Sequence, residues 1–225
     1  MHCALCGLPC HRELGLCTGC EADLERNRRC CRRGALPLPP GAGEALCGDC
    51  QRWAPPSDRV VAPWLYDEHL AHLIGRWKYA REQELTPLLA RLWRRHANPD
   101  SDIDAIVPVP LHWRRRWQRG FSQSALLAAE LRRQWTPLRR IPLANGLARR
   151  NRHTAPQSAS GALQRGRNLR GAFTVTRPCD RLRVAIVDDV LTTGATASAL
   201  AQALQGAGAA GVEVWCLART PSPLA

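Results

Sequence analysis

Lysine is almost absent from this chain. Of 32 basic residues among 225, Lys78 is the single lysine, so a net charge of +13 rests almost wholly on arginine. Guanidinium groups fork onto phosphates and stack on bases, and an arginine surface of this size fits a nucleic-acid footprint. A GC-rich genome accounts for the exchange of lysine for arginine equally well, but not for the size of the excess. Cysteine is scarce after residue 50: nine of the eleven precede residue 51, leaving Cys179 and Cys216. No apolar stretch is long enough to span a membrane. No cleavable signal peptide precedes the early cysteines, so a cytosolic (cytoplasmic) chain is expected, with thiols that bind metal rather than form a disulfide scaffold.

The cysteine-rich head is a degenerate repeat. Cys3-Ala-Leu-Cys6-Gly-Leu-Pro9 leads to Cys17-Thr-Gly-Cys20, and Cys31-Arg-Arg-Gly34-Ala-Leu-Pro37 leads to Cys47-Gly-Asp-Cys50. Each unit has the spacing of a small zinc ribbon, in which four thiolates complete a tetrahedron and the metal replaces a core too small to build. Cys3, Cys6, Cys17 and Cys20 form a full set. The second set, Cys31, Cys47 and Cys50, is one short because Gly34 stands at the fourth position. Cys30, Cys10 or His11 would have to substitute there, or the second site stays empty. The expected division is a Cys-rich double-ribbon domain over 1–56 and a larger domain over 57–225.

The segment Val184-Ala-Ile-Val-Asp188-Asp189-Val190-Leu191-Thr192-Thr193-Gly194-Ala195-Thr196 carries the chemistry. Val184 to Val187 is apolar without alternation, the pattern of a buried parallel strand, and puts Asp188 and Asp189 at its carboxyl end. Thr192 to Thr196 supplies hydroxyls and successive N–H groups ahead of a helix from Ala197 to Leu204, a phosphate cradle at a helix N-terminus. Paired acids beside a phosphate site suit vicinal ribose hydroxyls or Mg²⁺. A sugar phosphate follows as the expected ligand.

Strand and helix alternate through the rest. Strands are expected at Val60–Tyr66, Ile103–Val109 and Val212–Ala218, and helices at His69–Tyr79, Leu85–His96 and Ser122–Trp135. Pro108-Val109-Pro110 ends the second strand where open α/β sheets bind ligands. Trp113, Arg114, Arg115, Arg116, Trp117 and Arg119 then interleave stacking surfaces with cations, a pattern for single-stranded DNA, although tryptophans near a strand end are more often core. Residues 149–173 are polar and arginine-rich, which reads as a mobile loop closing over the sheet and followed by a short helix; its arginines serve either as lid cations or as a solvated run. Cys216 reads as core.

The acid-and-threonine segment resembles the phosphoribosyl pyrophosphate (PRPP) signature of type I phosphoribosyltransferases. The resemblance implies a parallel sheet flanked by helices, acids on the ribose 2- and 3-hydroxyls, and the 5-phosphate on the loop, giving Asp188, Asp189, Val190, Leu191, Thr192, Thr193, Gly194, Ala195 and Thr196 as PRPP-binding residues with Mg. The tandem C-x-x-C pairs, the Gly-Leu-Pro turn and the linker Ala54-Pro55-Pro56 make the whole chain similar to the ComF/GntX family, a zinc ribbon ahead of a phosphoribosyltransferase-like domain. That similarity implies that Pro108, Val109, Pro110 and Arg119 face the pyrophosphate. It also matches Arg152, Thr154, Gln157, Arg165 and Asn168 to a lid, and Arg119 to Gln123 to an R-G-F-N-Q motif in which Ser122 replaces Asn. Gly34 departs from the family pattern.

The family implies a role in DNA uptake and natural transformation, with DNA-uptake proteins as partners. Two function classes remain open: a protein that binds PRPP and single-stranded DNA, and a PRPP-dependent phosphoribosyltransferase acting on a small base or amine. Purine-salvage relatives carry an Asp where Thr192 stands, so no catalytic residue is assigned.

Overall fold

Two nine-residue strands form the centre of the sheet because their apolar runs, Val184–Val187 and most of the second strand, leave no solvent face. β6 (Arg183–Leu191) and β7 (Gly211–Arg219) run parallel from Arg183↔Gly211 to Leu191↔Arg219. In this computed structural model, which describes residues 2–42, 45–100, 102–111, 120–151 and 171–221, every residue of β7 is buried. β3 (Ala105–Pro108) flanks β6, and β1 (Arg59–Val61) and β2 (Trp64–Leu65) flank β7, all parallel. A parallel sheet buried on both faces needs helices on both.

Side chains along β6 and β7 alternate between two cores, as a period of two requires. Ala185, Val187, Trp215 and Leu217 face one core, filled by α3 (Glu68–Tyr79), α4 (Thr86–His96) and α5 (Gln123–Gln134). Val184, Ile186, Val214 and Cys216 face the other, filled by α6 (Ala195–Gly206) and by the antiparallel pair β4 (Ala148–Arg150) and β5 (Phe173–Val175). α3 buries Leu70, Leu73, Ile74 and Trp77, the i, i+3, i+4, i+7 stripe of an amphipathic helix. Asp67 starts it, accepting the Leu70 N–H at 2.7 Å.

The predicted strand Val60–Tyr66 is two short strands interrupted at Ala62-Pro63, because proline has no N–H for a ladder. The break serves the head. Glu25-Arg26-Asn27 lies against it, with Asn27 N–H donating to the Pro63 carbonyl at 2.9 Å and Leu65 N–H to Glu25 at 2.9 Å.

The repeat is visible in the backbone. Cys3 N–H bonds the Leu8 carbonyl at 2.8 Å, and Cys31 N–H bonds that of Leu36 at 2.8 Å. Gly7 turns with φ 72°, and Ala35 stands in its place at φ 50°. α1 (Thr18–Ala22) and α2 (Gly48–Arg52) each follow directly on a cysteine, Cys17 and Cys47. Cys3, Cys10, Leu14, Leu16 and Leu24 of the first unit join the core of α3 and α4, whereas Cys31, Leu36, Cys47 and Cys50 form a cluster of their own.

Candidate functional site

Asp188 and Asp189 lie inside β6 rather than beyond it. The strand was expected to stop at Val187; it continues to Leu191 because Val190 and Leu191 still pair with Ala218 and Arg219. Asp188 Oδ1 accepts from Ser124 Oγ of α5 at 3.1 Å and from the Asp189 N–H at 2.9 Å. Asp189 Oδ1 pairs with Lys78 Nζ of α3 at 2.8 Å, both side chains being about five-sixths covered. Burial, and then the charge of Asp189, push the Asp188 carboxyl up to about 7, against the opposing pull of the Asp189 amide, Lys78 and Ser124. Burial works against the Lys78 ammonium, but Asp189 and Asp188 outweigh it and raise its pKa. Cys216, opposite Asp188 in the sheet, is pushed up by burial and then by Asp188, so it stays a neutral thiol.

Next to the acids, Pro108 is in register with Val187, and Val109 N–H donates to the Val187 carbonyl at 2.9 Å. The Pro-Val-Pro segment thus leaves the sheet level with the acid pair. Beyond Leu191, Thr192 and Thr193 are exposed, and Gly194 enters α6 in the left-handed region at φ 75°. The N-cap residue Gly194 offers no side chain, and Thr193 Oγ1 accepts from the Ala195 N–H at 3.4 Å. The positive end of the helix dipole lies at this loop, an arrangement that favours an anion.

Arg219 ties this loop to the head. Its Nη1 donates to the Leu191 carbonyl at 2.9 Å and also to Thr192, while its Nε donates to the Gly34 carbonyl at 2.9 Å. A cleft of about 290 Å³ lies between the two, lined among others by Gly34, Cys50, Thr193, Gly194 and Arg219.

The Sγ atoms of Cys3, Cys6, Cys17 and Cys20 all lie within 4.8 Å of one another. Cys6 and Cys17 are 3.8 Å apart, which matches the roughly 3.8 Å edge of a tetrahedron with zinc–sulfur bonds of about 2.3 Å. The Cys17 N–H donates to Cys3 Sγ at 3.4 Å. Burial opposes the Cys3 thiolate, yet the backbone N–H groups of Cys17, Cys6 and Leu5 prevail and lower its pKa to about 6. Cys31, Cys47 and Cys50 form a second group within 4.8 Å. Both clusters can hold a metal ion. All eleven cysteines are free, so no disulfide framework exists here.

No family model matches the chain. It is 37% identical over 229 residues to DNA utilization protein YhgH of Escherichia coli K12, covering 97% of this chain and 96% of that protein. It is also 37% identical over 234 residues to the protein of the same name from Salmonella typhimurium, with 97% and 96% covered. Competence protein F of Haemophilus influenzae is 35% identical over 220 residues, with 91% and 90% covered. The chain belongs to the ComF family.

In this ComF-family chain the fold brings together Asp188, Asp189, the Thr192–Thr196 loop and the Pro108–Pro110 segment. It does not bring Cys10 to the second cysteine cluster, since that side chain is buried in the α3–α4 core. Among the described residues, neither Cys30 nor His11 joins the trio. Trp113, Arg114, Arg115, Arg116, Trp117, Arg119, Arg152, Thr154, Gln157, Arg165 and Asn168 lie outside the described residues; the flanks of the expected lid are β4 and β5. Among the described residues no helix is long and apolar enough to cross a membrane. Sequence reading missed Lys78, Ser124 and Arg219 as parts of the site. For Lys78 a signal existed: one lysine survives in a chain that uses arginine everywhere else.

Proposed function

We propose that this ComF-family protein serves DNA utilisation or competence by binding PRPP with Mg²⁺ and single-stranded DNA on a phosphoribosyltransferase-like domain, with structural zinc in the head. The observation that carries the reading is the acid pair in the last residues of a central parallel strand, which ends at Leu191 and leads through Thr192 and Thr193 into a helix N-terminus opened by Gly194. Asp188 and Asp189 would accept from the ribose hydroxyls or from water on Mg²⁺, and the N–H groups from Gly194 to Thr196 would take the 5-phosphate. Mg²⁺ would offset pyrophosphate charge. Its natural holders are the same carboxylates, so the ion would compete with Lys78 for Asp189. The exposed Thr192 and Thr193 hydroxyls fit the remaining phosphate oxygens.

The roles of its relatives, DNA utilization and competence by name, and the charge of +13 support DNA as the second ligand. The arginine and tryptophan run at 113–119 and Arg149, Arg150 and Arg152 are its proposed track. Transfer of phosphoribose to a small base or amine is the second reading. It is favoured by Asp188, a carboxyl that exchanges its proton near neutrality beside the proposed ribose.

Calorimetry with PRPP and Mg²⁺, and anisotropy with labelled single-stranded DNA, made on one preparation, test the proposal. Asp188→Asn with Asp189→Asn should abolish PRPP binding, each charge-assisted hydrogen bond being worth about 1.5–3 kcal/mol. Unchanged PRPP affinity in a folded double variant overturns it. Pyrophosphate release with an added amine or base would establish the transferase reading instead.

A further inference from the structure

We propose that Cys31, Cys47 and Cys50 hold a metal ion whose fourth ligand comes from outside the chain, as a small-molecule thiolate entering through the cleft at Gly34. The three sulfurs lie within 4.8 Å of one another and their residues are buried. The backbone of the unit repeats that of the first, so Gly34 occupies the place of Cys6. A Cβ atom built on Gly34 would lie 2.9 Å from Cys50 Sγ, 3.7 Å from Cys47 Sγ and 3.9 Å from Cys31 Sγ. A side chain there would point into the trio, with Cys50 Sγ shifting to admit it, which makes position 34 the fourth vertex.

Among the described residues, no other His, Cys, Asp or Glu joins the group. Three protein ligands with an open fourth position are the pattern of zinc sites that take a ligand from solution, and three thiolates favour a soft ion. The first unit fills this vertex with a cysteine side chain, so the missing piece has the size and chemistry of a small thiol. The vertex is reachable, since Gly34 and Cys50 line a cleft of about 290 Å³ together with Arg33, Asp49 and Arg219. Zinc with three thiolates carries one negative charge, and a fourth thiolate adds another. Arg33 and Arg219 at the cleft offset it. In the binding step the thiol gives its proton to solvent, its sulfur bonds the metal, and the metal-bound water leaves.

This inference rests on the head holding zinc, and the experiment separates the two. The full chain is loaded with zinc, freed of thiols, and measured by metal analysis and zinc-edge absorption. The expected result is roughly two zinc ions per chain, with the mean sulfur count per zinc rising from about 3.5 to about 4 when 2-mercaptoethanol is added. Gly34→Cys should read about 4 without added thiol and lose the response. Should that variant fail to fold, Cys47→Ser is the second arm: it should retain one zinc and show no thiol response. A sulfur count in the native protein that ignores the thiol overturns the inference. So does a single zinc per chain that survives Cys47→Ser, while the first site stands; no zinc at all would bring down the zinc reading itself.

Discussion

The single lysine of the chain, Lys78, sits 2.8 Å from Asp189, joining α3 to the acid pair of β6. An ammonium is a compact point charge on a flexible stem, whereas a guanidinium is a planar fork. Lys78 offsets the charge of Asp189 beside Asp188 in a largely covered site, and the proposed Mg²⁺ would have to displace it or share Asp189 with it.

Removing this cation should therefore be costly. Lys78→Met leaves Asp189 covered without its partner, and the urea midpoint should fall by the equivalent of about 1–3 kcal/mol. Asp189→Asn in the same chain should restore part of the loss, and a double-mutant cycle reads the coupling directly. Additive losses would show that the pair contributes nothing.

Asp188 gives the protein a pH dependence of stability. Its folded pKa, about 7, lies above the unfolded value of about 3.9, so between those limits the folded state holds more proton than the unfolded one. Stability from this group is present below about pH 4 and declines as pH rises to about 7, by at most about 4 kcal/mol. Asp188→Asn removes the titration. Thermal midpoints of the native protein should drop between pH 5 and pH 8 more steeply than those of the variant, and parallel curves would refute the assignment.

The first cysteine set supports the body as well as the head. Cys3, Cys10, Leu14 and Leu16 share a core with Trp77, Leu89 and Trp93. Cys3→Ser should cost one metal per chain and, because metal binding is folding free energy in so small a unit, lower the midpoint of the whole protein. Chelation should do the same to the native chain. Calorimetry with metal analysis checks it; a head that melts alone, leaving the main transition unmoved, would count against it.

The proposed DNA track has its own signature. If Arg114, Arg115 and Arg116 neutralise phosphates, their joint replacement by Ala should flatten the slope of log affinity against log salt by about 0.7 per lost contact. Trp113→Ala or Trp117→Ala should weaken binding by roughly 1–3 kcal/mol with the slope intact. Binding that ignores salt would move the footprint elsewhere.

What the sequence determined by itself is local. The branched run before Asp188, the threonines and Gly194 ahead of α6, the apolar stripes of α3 and α4, the C-x-x-C repeat and the gap at Gly34 are all written in neighbouring residues, where periodicity and spacing carry the information. Which distant residues meet is set by the packing of the elements. β6 outruns its apolar run because β7 offers partners to Val190 and Leu191. Cys10 goes to the core rather than to the second cysteine trio. Lys78 reaches Asp189 because α3 packs on that face of the sheet, and Arg219, 185 positions from Gly34, joins the turn after β6 to the second cysteine unit. Such pairings depend on how buried faces stack, and a buried face specifies that it must be covered without naming the residue that covers it.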